Sequence, residues 1–195
     1  MVTCVLLAAG ESRRFGSPKA LALIKGQTLI AALTQRLIAA KAGRVIVVLG
    51  ADADLIAPRI PDNPSLAVVL NKNYREGQTS SFKTGLEALP EATRGVMLLP
   101  IDVPFVKKET LEVLMKTFLE KQPLVQMPTF NGSFGHPPIF SSKLIPDFKE
   151  LKNSDPLYTV QRRYAGQILE VPVTDEGVAA SFNTPDELRS LLQRF

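Results

Sequence analysis

The sequence predicts a three-layer α/β/α fold in which a mostly parallel sheet lies between two layers of helices. Short apolar runs alternate with stretches of helical periodicity from the first residue onwards. Such alternation is typical of βαβ units and therefore of a parallel sheet covered on both faces. Of the 195 residues, 45% are hydrophobic and 22% are charged, which is ordinary globular composition and enough for one sizeable core. We therefore expect residues 1–195 to form a single domain.

Four apolar strands are expected in the first hundred residues. They are the apolar runs at 2–7, 44–49, 66–70 and 96–99. Between and after them, apolar residues recur every three or four positions, which indicates amphipathic helices. The stripes are Leu29, Leu33 and Leu37; Phe82, Leu86 and Leu89; and Leu111, Leu114, Met115 and Phe118. The hydroxyl-rich residues 79–81 are expected to cap the second of these helices.

Prolines change the pattern after about residue 123. They predict less regular connections and a small antiparallel element near residues 138–140. The last helix is well marked, because Thr184 and Glu187 fit a capping box and Pro185 takes the first helical position.

Composition limits the classes of function. Lys and Arg number 23 against 19 Asp and Glu, which gives a net charge of +4. So modest an excess suits small anionic ligands at least as well as nucleic acid, whose binding usually requires a concentrated basic face. One cysteine and one histidine exclude a disulfide framework and a Cys/His zinc site. The apolar runs are too short to span a membrane, and we expect no leader before the first strand. We expect a cytoplasmic protein with no nucleic-acid or membrane partner.

Three polar clusters follow predicted strands or precede a helix, at the sheet edge where ligands of α/β proteins collect. The first is residues 7–19, LAAGESRRFGSPK, whose small residues let backbone N–H groups approach a ligand and whose Arg13, Arg14 and Lys19 supply charge for a polyphosphate. It is neither a Walker loop nor a dinucleotide fingerprint. The alternative is a flexible, solvated basic loop.

The other two clusters each contain a candidate oxygen ligand. Asp102, between Pro100 and Pro104, can hold Mg²⁺ against phosphates, or can simply form a turn by bonding its own backbone. Asn183 precedes Thr184 and Pro185, and the alternative there is an ordinary helix start.

Together the three clusters resemble the MobA-like NTP transferase superfamily. Residues 7–19 match L-A-A-G-x-S-x-R-x-G-x-x-K, Asp102 resembles the metal-binding aspartate of that family, and residues 183–185 resemble its carboxy-terminal N/D-T-P element. The resemblance implies the Rossmann-like, glycosyltransferase-A-like fold of the nucleotide-diphospho-sugar transferases. It also implies a Mg²⁺-dependent nucleotidyltransferase that releases pyrophosphate.

Two further segments resemble the molybdenum cofactor cytidylyltransferases, the MocA type. Residues 71–85 fit N-x-x-[WY]-x-x-G-x-x-S-S-x-x-x-G, and residues 135–137 fit its G-H-P turn. The guanylyltransferase branch typically carries G-P-L-x-G where this chain has residues 78–81. The resemblance therefore implies CTP as the nucleotide, molybdopterin as the acceptor, and a molybdoenzyme or its chaperone as a protein partner. Val103, and Asn183 in place of an aspartate, depart from common family patterns and leave the acceptor open.

The resemblance also implies a set of site residues, divided between a nucleotide-binding half (1–105) and an acceptor-binding half (106–195). The catalytic residues implied are Arg14, Lys19 and Asp102. The nucleotide-binding residues implied are Leu7, Ala8, Ala9, Gly10, Ser12, Arg13, Arg14, Lys19, Asn71, Gly77, Ser80 and Ser81. The acceptor-binding residues implied are Gly135, His136 and Pro137, and the metal ligands implied are Asp102 and Asn183.

Several alternatives stay open on the sequence. The acceptor could instead be a sugar 1-phosphate or another small phosphorylated molecule, or the nucleotide could be GTP. The chain could bind nucleotide without turnover, or be a nucleic-acid-binding module. His136 could be a structural histidine that is hydrogen-bonded to the backbone, since a single histidine with no partner residues does not identify a functional site.

Overall fold

The computed structural model describes residues 1–195 and contains ten strands and seven α-helices. The strands are β1 (Val2–Ala8), β2 (Leu23–Ile24), β3 (Gln27–Thr28), β4 (Arg44–Leu49), β5 (Leu66–Leu70), β6 (Gly95–Pro100), β7 (Val125–Phe130), β8 (Ser133–Phe134), β9 (Ile139–Ser141) and β10 (Ile168–Pro172). The helices are α1 (Leu29–Ala39), α2 (Ala53–Ile56), α3 (Gln78–Glu87), α4 (Lys108–Lys121), α5 (Ile145–Glu150), α6 (Tyr158–Arg163) and α7 (Pro185–Leu192).

One sheet runs through the molecule in the strand order β10-β7-β9-β6-β1-β4-β5, and β8 pairs with β7. β9 is antiparallel to both of its neighbours, β6 and β7, whereas β1, β4, β5 and β6 form parallel pairs. The predicted mostly parallel sheet is therefore confirmed, and so is the antiparallel element near residues 138–140. A separate two-stranded hairpin, β2–β3, precedes α1.

Helices cover both faces of the sheet because successive side chains of each strand point to opposite sides. On β1, Cys4 and Leu6 pack into the core formed with α1, α4 and α7, while Val5 and Leu7 pack into the core formed with α3, α5 and α6. Cys4 is fully buried, and burial raises the pKa of its thiol, so it remains protonated. No helix in the chain is both long and apolar enough to cross a membrane.

The strand order reverses direction at β1. The chain runs from β1 to β4 and β5 on one side, and then returns through α3 to β6 on the other side of β1. In open α/β sheets such a reversal leaves a crevice at the carboxyl ends of the strands. The loops after β1 and β6 meet there.

Helix α3 packs closely on the sheet because residue 85 is glycine. A Cβ at Gly85 would lie 2.5 Å from Val5 Cγ1 and 3.1 Å from Val48 Cγ2. Real Cβ atoms do not approach other heavy atoms that closely, so any side chain would push the helix outwards. The close contact fixes the height of α3 above the sheet, and with it the residues of its first turn.

The expected capping of α3 by residues 79–81 is wrong. The helix begins at Gln78 after Gly77, without a side-chain cap, because its hydroxyl groups are buried and bonded elsewhere. The capping box of α7 is confirmed: Glu187 N donates to Thr184 Oγ1 at 3.3 Å, and Thr184 N donates to Glu187 Oε2 at 3.1 Å.

Candidate functional site

A pocket of about 290 Å³ lies in the crevice between β1 and β6; we call it the first pocket. Its lining comes from the loop after β1, the loop after β6 and the start of α3. The lining residues are Leu7, Ala8, Ala9, Gly10, Ser12, Pro18, Lys19, Ala20, Ile56, Tyr74, Gly77, Gln78, Ser81, Pro100, Ile101 and Asp102. Most of the residues that the sequence assigns to a nucleotide therefore surround one cavity.

Lys19 is the charged centre of this pocket. It is buried, with 9% of its surface exposed, and its ammonium group has three hydrogen-bond partners. Nζ donates to Phe182 O at 3.0 Å, to Asn183 Oδ1 at 3.1 Å and to Asp102 Oδ2 at 3.4 Å. All three of its N–H donors are thus used within the protein.

Asn183 lies between two cations. Its Oδ1 accepts from Arg14 Nη2 at 2.8 Å as well as from Lys19 Nζ, so both lone pairs are taken. To ligate a metal, Asn183 would first have to release one of these cations. Asp102 lines the pocket, and only its Oδ2 accepts a hydrogen bond from a side chain, so Oδ1 is left without a side-chain partner.

The donor set around Asp102 fits a metal only with help from a substrate. No group of three or more His, Cys, Asp or Glu side chains in the chain could hold a metal ion. Magnesium is commonly held by one or two carboxylates together with substrate phosphates and water. Asp102 meets that requirement at the pocket wall, provided that phosphates supply further oxygens.

The loop after β1 is held in position by its own side chains. Ser12 has a φ of +52°, and its Oγ accepts from Lys19 N at 3.1 Å, which joins the two ends of the loop. A Cβ added at Gly10 would meet no atom within 4 Å. The space beside the Gly10 backbone is therefore open to a ligand.

Asn71, Ser80 and Ser81 form a buried network at one side of the pocket. Asn71 Nδ2 donates to the hydroxyls of Ser80 and Ser81, each at 3.0 Å. Only Ser81 of the three lines the first pocket. Asn71 and Ser80 lie beneath the surface and connect the end of β5 to α3.

A second pocket of about 540 Å³ adjoins the first and shares Gly77 and Gln78 with it. Its lining residues are Glu76, Gly77, Gln78, Thr79, Leu98, Met127, Phe134, Gly135, His136, Pro138, Phe140, Asn153, Ser154, Asp155, Pro156, Leu157, Tyr158 and Gln161. This lining contains no lysine or arginine. Half-exposed aromatic rings are contributed by Phe134 and Tyr158, at 49% and 50% exposure.

Gly77 lies where the two pockets meet and has a φ of +122°, which L side chains rarely adopt. Beside it, Thr79 Oγ1 donates to Asp155 O at 2.5 Å, which ties the start of α3 to the segment that precedes α6. This connection forms the wall common to both pockets.

His136 is half-buried in the wall of the second pocket. Its backbone N–H donates to Val178 O at 2.7 Å, while its buried Nδ1 has no hydrogen-bond partner. Burial lowers the pKa of the imidazole, and the charge of Asp102 opposes that shift. Burial therefore favours the neutral form of the imidazole.

Not every residue of the predicted site lines a pocket. Arg13, Arg14, Asn71, Ser80, Pro137 and Asn183 lie outside both linings. Sequence reasoning in turn did not select Tyr74, Gln78, Phe134 or Tyr158. The first two lie within the 71–85 motif, so the motif itself carried the signal, whereas Phe134 and Tyr158 belong to no motif.

A mostly parallel sheet with a pocket at the point where its strand order reverses defines a ligand-binding α/β protein. Residues 4–168 match the family model described as the MobA-like NTP transferase domain. The chain belongs to that family and is a nucleotidyltransferase.

Relatives differ in how much of their length the chain spans. A nicotine blue oxidoreductase from Paenarthrobacter nicotinovorans is 31% identical over 58% of this chain, which spans only about half (55%) of that protein. A probable molybdenum cofactor guanylyltransferase from Aquifex aeolicus is 25% identical over 97% of this chain and 90% of its own length. The molybdenum cofactor cytidylyltransferase of Escherichia coli is 21% identical over 100% of this chain and 97% of its own length.

Solved structures show the same fold. Rv0371c from Mycobacterium tuberculosis H37Rv has a TM-score of 0.85 at 24% identity and covers 99% of this chain and 98% of its own. A complex of Rv0371c with manganese has a TM-score of 0.80 at 23% identity and covers 100% of this chain and 99% of its own. At these identities the likeness shows the fold alone.

Proposed function

We propose that this nucleotidyltransferase transfers CMP from CTP to molybdopterin or a closely similar phosphorylated acceptor, with release of pyrophosphate. The observation that carries the proposal is a pair of adjoining pockets that differ in charge. The first contains the Lys19 ammonium group beside Asp102, whereas the second contains the carboxylates of Glu76 and Asp155 and no lysine or arginine. A polyphosphate suits the first pocket, and the uncharged body of an acceptor suits the second.

In this reaction an oxygen of the acceptor phosphate attacks the α-phosphorus of the triphosphate. A new P–O bond forms while the bond from the α-phosphorus to the oxygen that bridges the α- and β-phosphorus atoms breaks, and pyrophosphate leaves. The acceptor phosphate is already an anion near neutral pH, so alignment and charge neutralisation matter more than proton abstraction. A chain with a single histidine is therefore chemically sufficient.

We assign charge neutralisation to Lys19 and Arg14. The contact of Lys19 with Asp102 is its longest, at 3.4 Å, and is the one that a phosphate oxygen would replace most easily. Residues 7–10 and Ser12 line the same pocket, and their backbone groups would bind the nucleotide. Asn71 and Ser80 would act indirectly, by holding Ser81 in the wall of the first pocket.

The family implies a divalent cation, and we propose Mg²⁺ at Asp102. When bound, Mg²⁺ would neutralise charge on the nucleotide phosphates. Asn183 would join Asp102 only after release from Arg14 or Lys19.

We place the acceptor in the second pocket, against Gly135 and His136, with Pro137 shaping the turn. Phe134 and Tyr158 offer aromatic faces on which a flat ring such as a pterin can stack. Because the second pocket has no lysine or arginine to pair with a phosphate, we place the phosphate of the acceptor at the shared wall, at Gly77 and Gln78, next to the first pocket. We also propose that a molybdoenzyme or its chaperone receives the product.

The test is a pyrophosphate-release assay with Mg²⁺, each of the four triphosphates and molybdopterin, with sugar 1-phosphates as alternative acceptors. Lys19→Ala and Asp102→Ala should each lower turnover by about 10²-fold or more, because each removes charge stabilisation from the transition state. Lys83→Ala is the control, since Lys83 is a half-buried lysine that donates to Leu151 O away from the pocket.

Each failure of this assay has its own meaning. Preference for GTP or for a sugar 1-phosphate would replace the nucleotide or the acceptor named here. Nucleotide binding without any pyrophosphate release would favour a non-catalytic binding protein. Near-normal turnover of either alanine variant would overturn the assignment of the first pocket.

A further inference from the structure

A carboxylate lies between two arginines next to the first pocket; we call Glu11, Arg13 and Arg75 the Glu11 triad. Glu11 Oε2 accepts from Arg13 Nε at 2.5 Å, and Glu11 Oε1 accepts from Arg75 Nε at 2.9 Å. Arg75 comes from the turn before α3, so the triad joins the loop after β1 to the opposite side of the pocket. No motif in the sequence includes Glu11 or Arg75 as a fixed residue.

The triad lines a cleft of about 340 Å³ together with Ser12 and Tyr74. Both Ser12 and Tyr74 also line the first pocket, so the cleft and that pocket are adjacent. The Arg75 guanidinium lies 5.5 Å from the centre of the Tyr74 ring, which supports its side chain from one side. None of the residues of the cleft lines the second pocket.

The geometry leaves both guanidinium groups able to bind an anion. Each donates to Glu11 through Nε alone, and a guanidinium has five N–H donors, so four remain on each arginine. The carboxylate offsets the repulsion between the two cations and holds them near one another. Hydrogen bonds from Arg75 and Arg13 lower the pKa of Glu11, which keeps the carboxylate ionised.

We propose that the Glu11 triad binds the distal phosphates of the nucleoside triphosphate and the pyrophosphate that forms from them. Arg75 and Arg13 are binding residues, and Glu11 is a positioning residue that acts through them. In phosphoryl transfer the attacking and leaving oxygens lie roughly in line. A leaving-group site that shares no residue with the acceptor pocket suits that requirement.

The inference rests on the proposed function and adds to it a site for the leaving group. Calorimetric titrations of CTP with Mg²⁺, of CMP and of inorganic pyrophosphate test it without turnover. Arg75→Ala should weaken CTP and pyrophosphate about tenfold and leave CMP within about twofold, because CMP lacks the distal phosphates. Arg189→Ala is the matched control, since Arg189 is also 75% exposed and ion-paired, with Asp186 on α7.

Glu11→Gln separates positioning from competition. If Glu11 positions the arginines, the variant weakens CTP and pyrophosphate, and the loss is much smaller when Arg75 is already alanine. Tighter binding by Glu11→Gln would mean that the carboxylate competes with phosphate, and would overturn its positioning role.

The outcomes also separate this inference from the proposed function. A wild-type protein that binds none of the four triphosphates contradicts both. A wild-type protein that binds CTP and pyrophosphate, with Arg75→Ala binding them equally well, overturns the triad alone. Equal losses for CTP and CMP would also overturn it, because the effect would then not depend on the distal phosphates.

Discussion

At the scale of single residues, one ammonium group connects segments that are far apart in the chain. Lys19 contacts Phe182 and Asn183, which lie 163 and 164 positions away. The motif of residues 7–19 predicts that Lys19 is charged and near a ligand. It does not reveal that the whole set of Lys19 donors is satisfied in the free protein, because that depends on where the chain returns after β10.

His136 is the other residue whose setting the sequence left open. Its G-H-P context predicts a turn near an acceptor, but only the fold shows a buried and unpartnered Nδ1. The pKa of the ring is lowered from its ordinary value of 6.5, chiefly by burial. Protonation is therefore disfavoured in the folded protein relative to the unfolded chain.

This shift predicts how stability depends on pH. Between about pH 7.5 and about pH 5.5 the unfolded chain takes up a proton at His136 before the folded chain does, so the free energy of unfolding falls as the pH drops. Urea titrations at the two pH values should show a larger fall in the wild type than in His136→Gln. The carboxylates with shifted pKa values, Glu11 and Glu187, are lowered from 4.5 and stay ionised throughout this range. Equal falls in both proteins would contradict the burial of a neutral ring.

At the scale of elements, the regular half of the fold follows directly from apolar periodicity. The four expected strands and the helices α1, α3 and α4 are all present, because each carries an uninterrupted apolar pattern. Only Leu89 of the predicted stripes lies outside its helix, since α3 ends at Glu87. The β2–β3 hairpin, β7 and β10 were not expected. β7 is buried, but Gln126 and Pro128 interrupt its apolar sequence, and β10 is a half-exposed edge strand. Neither strand therefore shows an uninterrupted apolar run in the sequence.

Helix α3 gives the sharpest prediction at this scale. Alanine favours a helix over glycine by about 1 kcal/mol, yet at Gly85 its methyl group would lie 2.5 Å from Val5. We expect overpacking to dominate, so that Gly85→Ala lowers the free energy of unfolding by about 1–3 kcal/mol. Chemical denaturation measures this directly.

Gly166→Ala serves as the control, because a Cβ at Gly166 meets no atom within 4 Å. Its effect should stay within about 0.5 kcal/mol. A stabilised Gly85→Ala protein would show that α3 can move away from the sheet at little cost.

At the scale of the whole molecule, the expected division into residues 1–105 and 106–195 does not coincide with the pockets. One sheet crosses the division, since β9 pairs with β6. The second pocket takes Gly77 and Gln78 from the first part and Tyr158 from the second. Sequence patterns place ligand loops at strand ends, but a cavity between two such distant segments depends on how they pack.

Ligand binding should stabilise the whole fold by mass action. A nucleotide at about one hundred times its Kd adds about 2.7 kcal/mol to the free energy of unfolding. For a chain of this size that corresponds to a rise in Tm of roughly 5–10 °C. Thermal unfolding with each triphosphate and Mg²⁺ should give the largest rise with CTP. A larger rise with GTP would reverse the preference for cytosine.

The wall at Gly77 and Gln78 has a consequence for the end of the catalytic cycle. If the proposed reaction takes place across it, the dinucleotide product is one molecule that occupies both pockets at once. Joining two ligands makes the second contact intramolecular, so the product would be held more tightly than either of its parts. Departure of the product would then limit turnover, and a protein that takes it directly from the enzyme would accelerate the cycle without touching the chemical step.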